Sequence, residues 1–208
     1  MRAKILFAML FLCLGNALGN TPDVYAADGK NEASAFSDEL GHKALAIITD
    51  KANSKDIKRT KLEKLFQQNV DIDWIGKFVL GRYWRDATDE QKKSYLSNYK
   101  AFLIKHYTSN LTEYSDANFE VTKTAPEDGG GSVVTVRIKR PQAEDVVVYY
   151  TVRKKDGEGL KVYDIVVEGV SMITTQRSEF GSVVSQKGLD YLIAQLAERS
   201  KTEEKSVE

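Results

Sequence analysis

The segment from Leu80 to Tyr114 constrains the fold most, because it combines a clear helix start with more apolar surface than one helix face can carry. Thr88 and Gln91 have the spacing of a capping box, in which each side chain bonds the backbone N–H of the other residue. The helix that starts there has two adjacent apolar stripes, namely Leu96, Leu103 and Tyr107, and Tyr95, Tyr99, Phe102 and His106. A surface helix needs a stripe of only about 100°. We therefore predict a long helix, reaching about Thr112, that is covered by apolar partners on more than one side.

Residues with a preference for helix ends predict five further helices. Ser37 or Asp38 is expected to cap a first helix, and Ser54 a second. Asp71 is expected to cap a third helix over residues 72–80, which stops at Gly81. Gly188 is expected to separate two last helices at about 175–186 and 189–200. Most of the chain outside the middle third is thus expected to be helical.

After Tyr114 the apolar period changes from helical to alternating. Four segments rich in β-branched and aromatic residues follow one another, at 119–124, 133–140, 146–153 and 160–167. Glycine, proline and aspartate separate them, as turns between antiparallel strands require. The run from Val146 to Tyr150 is apolar at every position, which predicts burial on both faces. The fold class is therefore predicted to be α+β, with a twisted four-stranded antiparallel sheet enclosed by helices.

The first 26 residues have the layout of a secretory signal peptide. Arg2 and Lys4 precede an apolar run from Ile5 to Leu14, and small residues lead up to Ala26. The run is well short of the ~20 residues that span a bilayer, which disfavours a membrane anchor. We expect a signal peptide over residues 1–26, a flexible lead-in over 27–36, a single domain over 37–200 and a disordered tail over 201–208.

Composition argues against several classes of function. Cys13 is the one cysteine and lies in the predicted signal peptide, so the exported chain is expected to have no disulfide, thiol nucleophile or thiolate metal site. Lys and Arg total 30, and so do Asp and Glu, and the lysines are dispersed along the chain. This balance gives no electrostatic footprint for nucleic acid, and none is expected as a partner.

Three motifs could carry chemistry, and for each a structural role is favoured. His42 and His106 could share a metal or a catalytic site, but they stand on different helices without the spacing of a metal motif. Asp71 and Asp73 could act as acid and base, yet Asp71 is well placed to cap a helix. The triple glycine at 129–131 precedes a strand and not a helix, so it indicates a hairpin turn and not a phosphate site. No catalytic or metal residue is predicted.

Two blocks of residues point to a known family. The first contains Leu80-Gly81, Trp84-Arg85, Ala87-Thr88, Glu90-Gln91, Phe102, Tyr107, Leu111 and Tyr114, and the second contains Glu168 to Ser171, Arg177, Phe180, Gly188 and Leu192. In order and spacing they resemble the MlaC or toluene-tolerance family, the periplasmic phospholipid shuttles of Gram-negative bacteria. The resemblance runs from about Ala35 to Glu198.

The resemblance implies a non-enzymatic carrier without cofactor, whose cargo is a bound phospholipid. The implied fold is a cone of the nuclear-transport-factor-2-like (NTF2-like) type with an apolar lipid cavity. The implied role is to shuttle phospholipid between the outer and inner membranes as the substrate-binding component of an ABC transporter, which maintains outer-membrane lipid asymmetry. The implied partners are an outer-membrane lipoprotein–porin complex and an inner-membrane transporter with MCE domains, and a monomer is expected.

Helix stripes and strand alternation then select the residues expected to line the cavity. They are Ile75, Val79, Leu96, Tyr99, Leu103, Tyr107, Val134, Val136, Val148, Tyr150, Val167, Met172 and Phe180. Arg82, Arg85 and Arg177 are expected near its mouth, where a guanidinium could meet a phosphate or an acidic partner. The period alone does not decide which face of the sheet looks into the cavity.

Other interpretations remain open at this point. Apolar stripes more often form plain core than a ligand cavity, so an adaptor with a filled core is one alternative. A second is a carrier of a hopanoid or another isoprenoid lipid. A third is a small isomerase or hydrolase of the same cone-shaped fold, although no acidic residue lies on the stripe that carries His106. Lipid extracted from the purified protein would distinguish them.

Overall fold

The computed structural model describes residues 32–108, 118–141 and 143–201. The predicted signal peptide, the end of the long helix beyond residue 108 and most of the predicted tail lie outside these residues. Within them the helices are α1 (Glu32–Thr49), α2 (Lys55–Asn69), α3 (Ile72–Leu80), α4 (Arg82–Asp86), α5 (Asp89–Thr108), α6 (Met172–Lys187) and α7 (Leu189–Lys201). The strands are β1 (Asn118–Glu127), β2 (Gly131–Arg140), β3 (Ala143–Lys155), β4 (Gly159–Val167) and β5 (Val170–Ser171). None of the helices in these ranges has the length and apolar character needed to cross a bilayer.

Local capping sets most helix starts, as the sequence predicts. The capping box is reciprocal: the Thr88 backbone N–H donates to Gln91 Oε1 at 3.1 Å, and the Gln91 backbone N–H donates to Thr88 Oγ1 at 3.2 Å. Ser54 and Asp71 cap α2 and α3, since each side chain accepts a bond from a backbone N–H in the first turn. Gly188, with a φ of 87°, ends α6 and donates to a carbonyl of its last turn. These predictions are confirmed.

Helix α1 begins earlier than the sequence predicts. It starts at Glu32, so that residues 32–36, assigned to a flexible lead-in, belong to the helix, and Ser37 lies inside it. Ala33 and Phe36 pack against valines of the sheet, and this contact between distant segments extends the helix towards the N-terminus. Helix α4, which fills the turn between Gly81 and Ala87, was also not predicted.

The strands form one antiparallel sheet in which sequential strands are neighbours, in the order β1-β2-β3-β4-β5. The α+β class is confirmed, but the predicted count of four strands is wrong. The fifth strand pairs Val170 with Val167 after a turn in which Glu168 and Gly169 both have positive φ, 52° and 79°. A strand of two residues has no alternation to detect, which is why the sequence pattern does not show it.

Two groups of buried apolar residues form the core. The helix-side cluster is built mainly from α3, α5, α6 and α7, and the sheet cluster consists of Ala33, Val134, Val136 and Val152. Helix α1 lies over the β1 and β2 part of the sheet, whereas α3 and α6 pack against β4. The sheet therefore has helices at both ends of one apolar face.

A buried carboxylate joins the sheet to the helices. Asp71 is only 5% exposed and accepts hydrogen bonds from the Tyr163 hydroxyl at 2.9 Å and from Lys155 Nζ at 3.3 Å. Beside it, Val70 forms a parallel bridge with Val162 of β4. Burial, with a smaller contribution from the Asp71 carboxylate, raises the pKa of Tyr163 to about 12. One aspartate thus caps α3 and fixes its start on the sheet.

Candidate functional site

The sheet presents one continuous apolar face to the interior. Val134 lies directly opposite Tyr150, and Val136 lies opposite Val148, so these four side chains share a face. Val134, Val136 and Val148 are buried. The side chain of Tyr149, which points to the other face, is 38% exposed. The structure therefore shows which face of these strands is buried, and the role of that face as a cavity lining stays a prediction.

The helices supply a second apolar wall. Ile75 and Val79 of α3, Tyr99 and Leu103 of α5, and Phe180 of α6 are all buried in the helix-side cluster. The Tyr99 ring meets the Phe180 ring edge to face, with centroids 6.0 Å apart. Five residues that the sequence predicted separately for the cavity lining thus meet in one wall.

Phe36 of α1 and Tyr150 of β3 contact both clusters, so the two walls meet at these rings. Burial raises the pKa of Tyr150 to about 12, and its hydroxyl is neutral at physiological pH. Several large side chains that are only partly buried pack against the helix-side cluster. They are Leu40, Phe66, Tyr107, Ile165 and Met172.

The partly buried set contains residues that the list of predicted lining residues missed. Phe36 contacts both clusters, whereas Leu40, Phe66 and Ile165 pack against the helix-side cluster. The Phe66 ring stacks on Tyr107 with centroids 6.3 Å apart. Leu40 and Phe66 stand on apolar stripes that the sequence shows. The sequence does not show which element these two side chains pack against, because an apolar stripe reveals which helix face is buried and not what covers it.

A short polar chain crosses the helix-side wall. The Tyr99 hydroxyl donates to Gln176 Oε1 at 2.7 Å, and Gln176 Nε2 donates to the Tyr107 hydroxyl at 3.4 Å. Burial raises the pKa of Tyr99 strongly and that of Tyr107 to about 12. All three groups are neutral near pH 7. Sequence analysis missed Gln176, although its place four residues before Phe180 puts it on the same helix face.

The corner that orients α6 is built on Asp164. Its carboxylate accepts hydrogen bonds from the Ser171 hydroxyl at 2.7 Å and from the Ile173 backbone N–H at 3.2 Å. Ser171 in turn caps α6 by accepting a bond from the Thr174 N–H. A carboxylate at the start of a helix is favoured by the helix dipole. These bonds fix the start of α6, and so they orient Met172, Gln176 and Phe180 towards the helix-side wall.

The remaining predicted lining residues lie at the edges. Leu96 is partly buried and packs on α3, where a Cβ added to Gly76 would lie 3.0 Å from Leu96 Cδ2. Val167 is 39% exposed at the end of β4. Neither belongs to the buried part of the two walls.

The three predicted arginines lie together near the end of α3, and all are exposed. Arg177 donates to the Phe78 carbonyl at 3.0 Å and stacks over the Phe78 ring at 4.7 Å, so it caps α3. Arg82 donates to the Tyr83 hydroxyl at 2.8 Å, and this bond raises the pKa of Arg82 and lowers that of Tyr83. Arg85 stands on the exposed side of α4.

A polar groove lies elsewhere on the described surface. It has a volume of about 500 Å³ and opens between α2, α5 and the end of α7, and its walls include Arg59, Glu63 and Lys105. The described residues contain no group of three or more His, Cys, Asp or Glu side chains arranged to hold a metal ion. His106 stacks on Phe102 and meets Tyr107 edge to face, so it belongs to the aromatic wall.

Known proteins are similar to this chain in sequence. A family model described as MlaC protein matches residues 38–198. An intermembrane phospholipid transport system binding protein, MlaC, of Haemophilus influenzae is 29% identical over 132 residues, which are 61% of this chain and 61% of that protein. The toluene tolerance protein ttg2D of Pseudomonas putida is 28% identical over 130 residues, 62% of this chain and 60% of that protein. The chain thus spans about three fifths of the length of these relatives.

A solved structure is also similar. It is a phospholipid-binding protein from Ralstonia solanacearum in complex with a phospholipid, with a TM-score of 0.69 and 26% sequence identity. The similarity covers 80% of this chain and 95% of that chain.

Proposed function

The chain belongs to the MlaC family, and on this basis we propose that it is a periplasmic carrier that binds phospholipid through the acyl chains. It moves phospholipid between the outer and inner membranes as the substrate-binding component of an ABC transport system, and so maintains outer-membrane lipid asymmetry. The phospholipid in the similar Ralstonia solanacearum structure supports the class of cargo. The layout of residues 1–26 as a signal peptide supports the periplasm.

The observation that carries the proposal is the pair of apolar walls. One wall is the sheet face with Val134, Val136 and Val148, and the other is the helix-side cluster around Leu103. They meet at the partly buried rings of Phe36 and Tyr150. An acyl chain placed at this junction replaces apolar contacts of the two walls by other apolar contacts.

The energetics of transport suit such a site. Burial is worth about 0.8 kcal/mol per methylene, so two acyl chains oppose free diffusion through water by more than ~20 kcal/mol. A carrier that used this energy fully would not release its cargo. An apolar cavity resembles the bilayer interior, which makes exchange nearly balanced and leaves the direction to the docked partner.

Polar groups near the walls support binding without catalysis. The chain of Tyr99, Gln176 and Tyr107 consists of neutral hydroxyl and amide groups. The buried carboxylates of Asp71 and Asp164 are bonded to backbone N–H groups and side chains that fix α3 and α6. No cofactor enters this proposal. The sheet with its bulges in β1 to β4 is further proposed to bend around the cargo as a cone of the NTF2-like type.

The surface at the end of α3 is proposed to meet partners. Lys77 and Lys92 lie over the Trp84 ring at 5.6 and 5.8 Å, beside the exposed Arg82 and Arg85. Cations held on an aromatic ring suit an acidic protein surface. By family membership, the partners would be an outer-membrane lipoprotein–porin complex and an inner-membrane transporter with MCE domains, each docking a monomeric carrier.

Mass spectrometry of an organic extract tests the function. The purified protein is expected to release about one equivalent of phospholipid. Val148→Asp and Leu103→Asp put a carboxylate into the two walls and are expected to lower the lipid content strongly. Val147→Asp is the matched control, because it changes the neighbouring residue on the opposite face of β3, where Val147 faces Arg137.

Circular dichroism shows whether each variant is folded. A wild-type extract without lipid would refute the carrier function. An isoprenoid in the extract would assign the carrier to another lipid class. Full lipid content in folded Val148→Asp and Leu103→Asp would place the site elsewhere.

A further inference from the structure

One row of valines crosses the whole sheet. In register, Val121 of β1 faces Val136 of β2, which faces Val148 of β3, which faces Val167 of β4, which faces Val170 of β5. Residues directly opposite each other in a sheet point to the same side. The five side chains therefore form a continuous apolar strip on the face that carries the sheet cluster.

The strip runs from the interior to the surface. Val136 and Val148 are buried, Val167 is 39% exposed and Val170 is 50% exposed. The neighbouring row behaves differently, since it begins with Thr124 and ends at the partly buried Ile165. Single exposed apolar residues are normal on a protein surface. Val167 and Val170, however, are adjacent and continue the row of buried valines, so together they form a connected apolar path.

The exposed end of the strip lies at a tight turn. Glu168 and Gly169 form a tight turn with positive φ at both positions, which keeps Val167 and Val170 paired. Directly after Val170, the Ser171 hydroxyl is bonded to Asp164 at 2.7 Å. The exposure of the two valines is thus part of the folded architecture. The carboxylate of Glu168 at the turn disfavours a phosphate headgroup there.

We propose that the valine strip is the path by which an acyl chain leaves and enters the cavity, with Val167 and Val170 as an apolar lip at its outer end. This rests on the proposed carrier function and adds to it a route. The occupant of the lip is hydrocarbon, because the lip continues the buried valines and the turn beside it carries the anionic Glu168. A chain on the lip is covered on one side while it moves, so fewer methylenes face water at a time.

Transfer kinetics test this route. The protein is loaded with a phospholipid that carries a fluorescent acyl chain, and transfer is followed into vesicles of phosphatidylethanolamine and phosphatidylglycerol that contain a quencher. Val170→Asp is expected to slow transfer about tenfold, equivalent to about 1.4 kcal/mol in the barrier, at unchanged lipid content. Ile57→Asp is the matched control, because Ile57 of α2 is 47% exposed and stands outside the strip; its rate is expected to equal that of the wild type.

A second variant guards against misfolding. Val167→Thr with Val170→Thr keeps the branched shape and the strand preference of both residues while making the lip polar. It is expected to slow transfer about threefold, roughly 0.65 kcal/mol in the barrier. Equal rates for wild type, Val170→Asp and the double threonine variant would overturn the route but leave the carrier function intact. Wild-type protein that cannot be loaded would instead refute the carrier function.

Discussion

Removal of one buried hydroxyl, by Tyr99→Phe, gives a sharp test of the helix-side wall. Tyr99 is fully buried and donates to Gln176 Oε1 at 2.7 Å, and the Gln176 residue is only 7% exposed. The substitution keeps the ring and its contact with Phe180, so the packing is unchanged. The carbonyl oxygen of Gln176 loses its bond in a site that water reaches poorly. A buried polar atom left in this way costs about 1–3 kcal/mol, and we expect the free energy of unfolding to fall by about 2 kcal/mol.

Urea unfolding followed by circular dichroism measures this loss in Tyr99→Phe, Gln176→Met and the double variant. Because the double variant removes both partners, it should be less destabilised than the sum of the single variants, by about 1–2 kcal/mol. Tyr150→Phe is the control: burial alone raises the pKa of that hydroxyl, and its removal should change stability by less than about 0.5 kcal/mol. Equal losses in Tyr99→Phe and Tyr150→Phe, or additive single variants, would refute the reasoning.

Three further predictions concern the frame of the site. Asp71→Ala should lower the free energy of unfolding by about 3 kcal/mol, since it removes a helix cap and the acceptor of the buried Tyr163 hydroxyl. A free energy of unfolding in urea equal to that of the wild type would contradict this. Gly81→Ala should lower the free energy of unfolding by about 1 kcal/mol or more, because φ is 59° at this position and the new Cβ would lie 3.1 Å from Arg177 Nη2. Unchanged stability in the same urea assay would contradict this backbone strain. Burial raises the pKa of Tyr107 and Tyr150 to about 12 in the folded state, so their contribution is fully present below the unfolded pKa of about 10 and is lost as pH rises towards 12. Unfolding free energies measured from pH 9 to 11.5 should therefore fall, less steeply in Tyr107→Phe and Tyr150→Phe, and a flat wild-type profile would contradict the shift.

Local signals explain what could be predicted of the fold. The capping box at Thr88 and the caps at Ser54 and Asp71 act within one helix turn, so the residues that make them are close in sequence. The alternation of strands is likewise local. By contrast, the start of α1 depends on contact between Phe36 and the sheet, and β5 depends on one turn at Glu168. Neither leaves a pattern long enough to detect.

The candidate site divides in the same way. Most of the residues predicted to line it are buried in or packed against the two apolar walls, but their role as a lining stays a prediction until lipid is measured. Gln176 was not predicted as part of the site, because a single polar residue on an apolar helix stripe resembles an interruption of that stripe. Its importance comes from Tyr99 on another helix, 77 residues away in sequence.

By itself the sequence determined the α+β class, most helix ends and the surplus of apolar side chains, because these depend on neighbours within a few residues. The tertiary structure decided which sheet face is apolar and covered, that Arg177 caps α3, and that five valines align from the interior to the edge. Period and composition are the same for either face of a strand. Only the register between strands and the helices packed against them distinguish an inner face from an outer one.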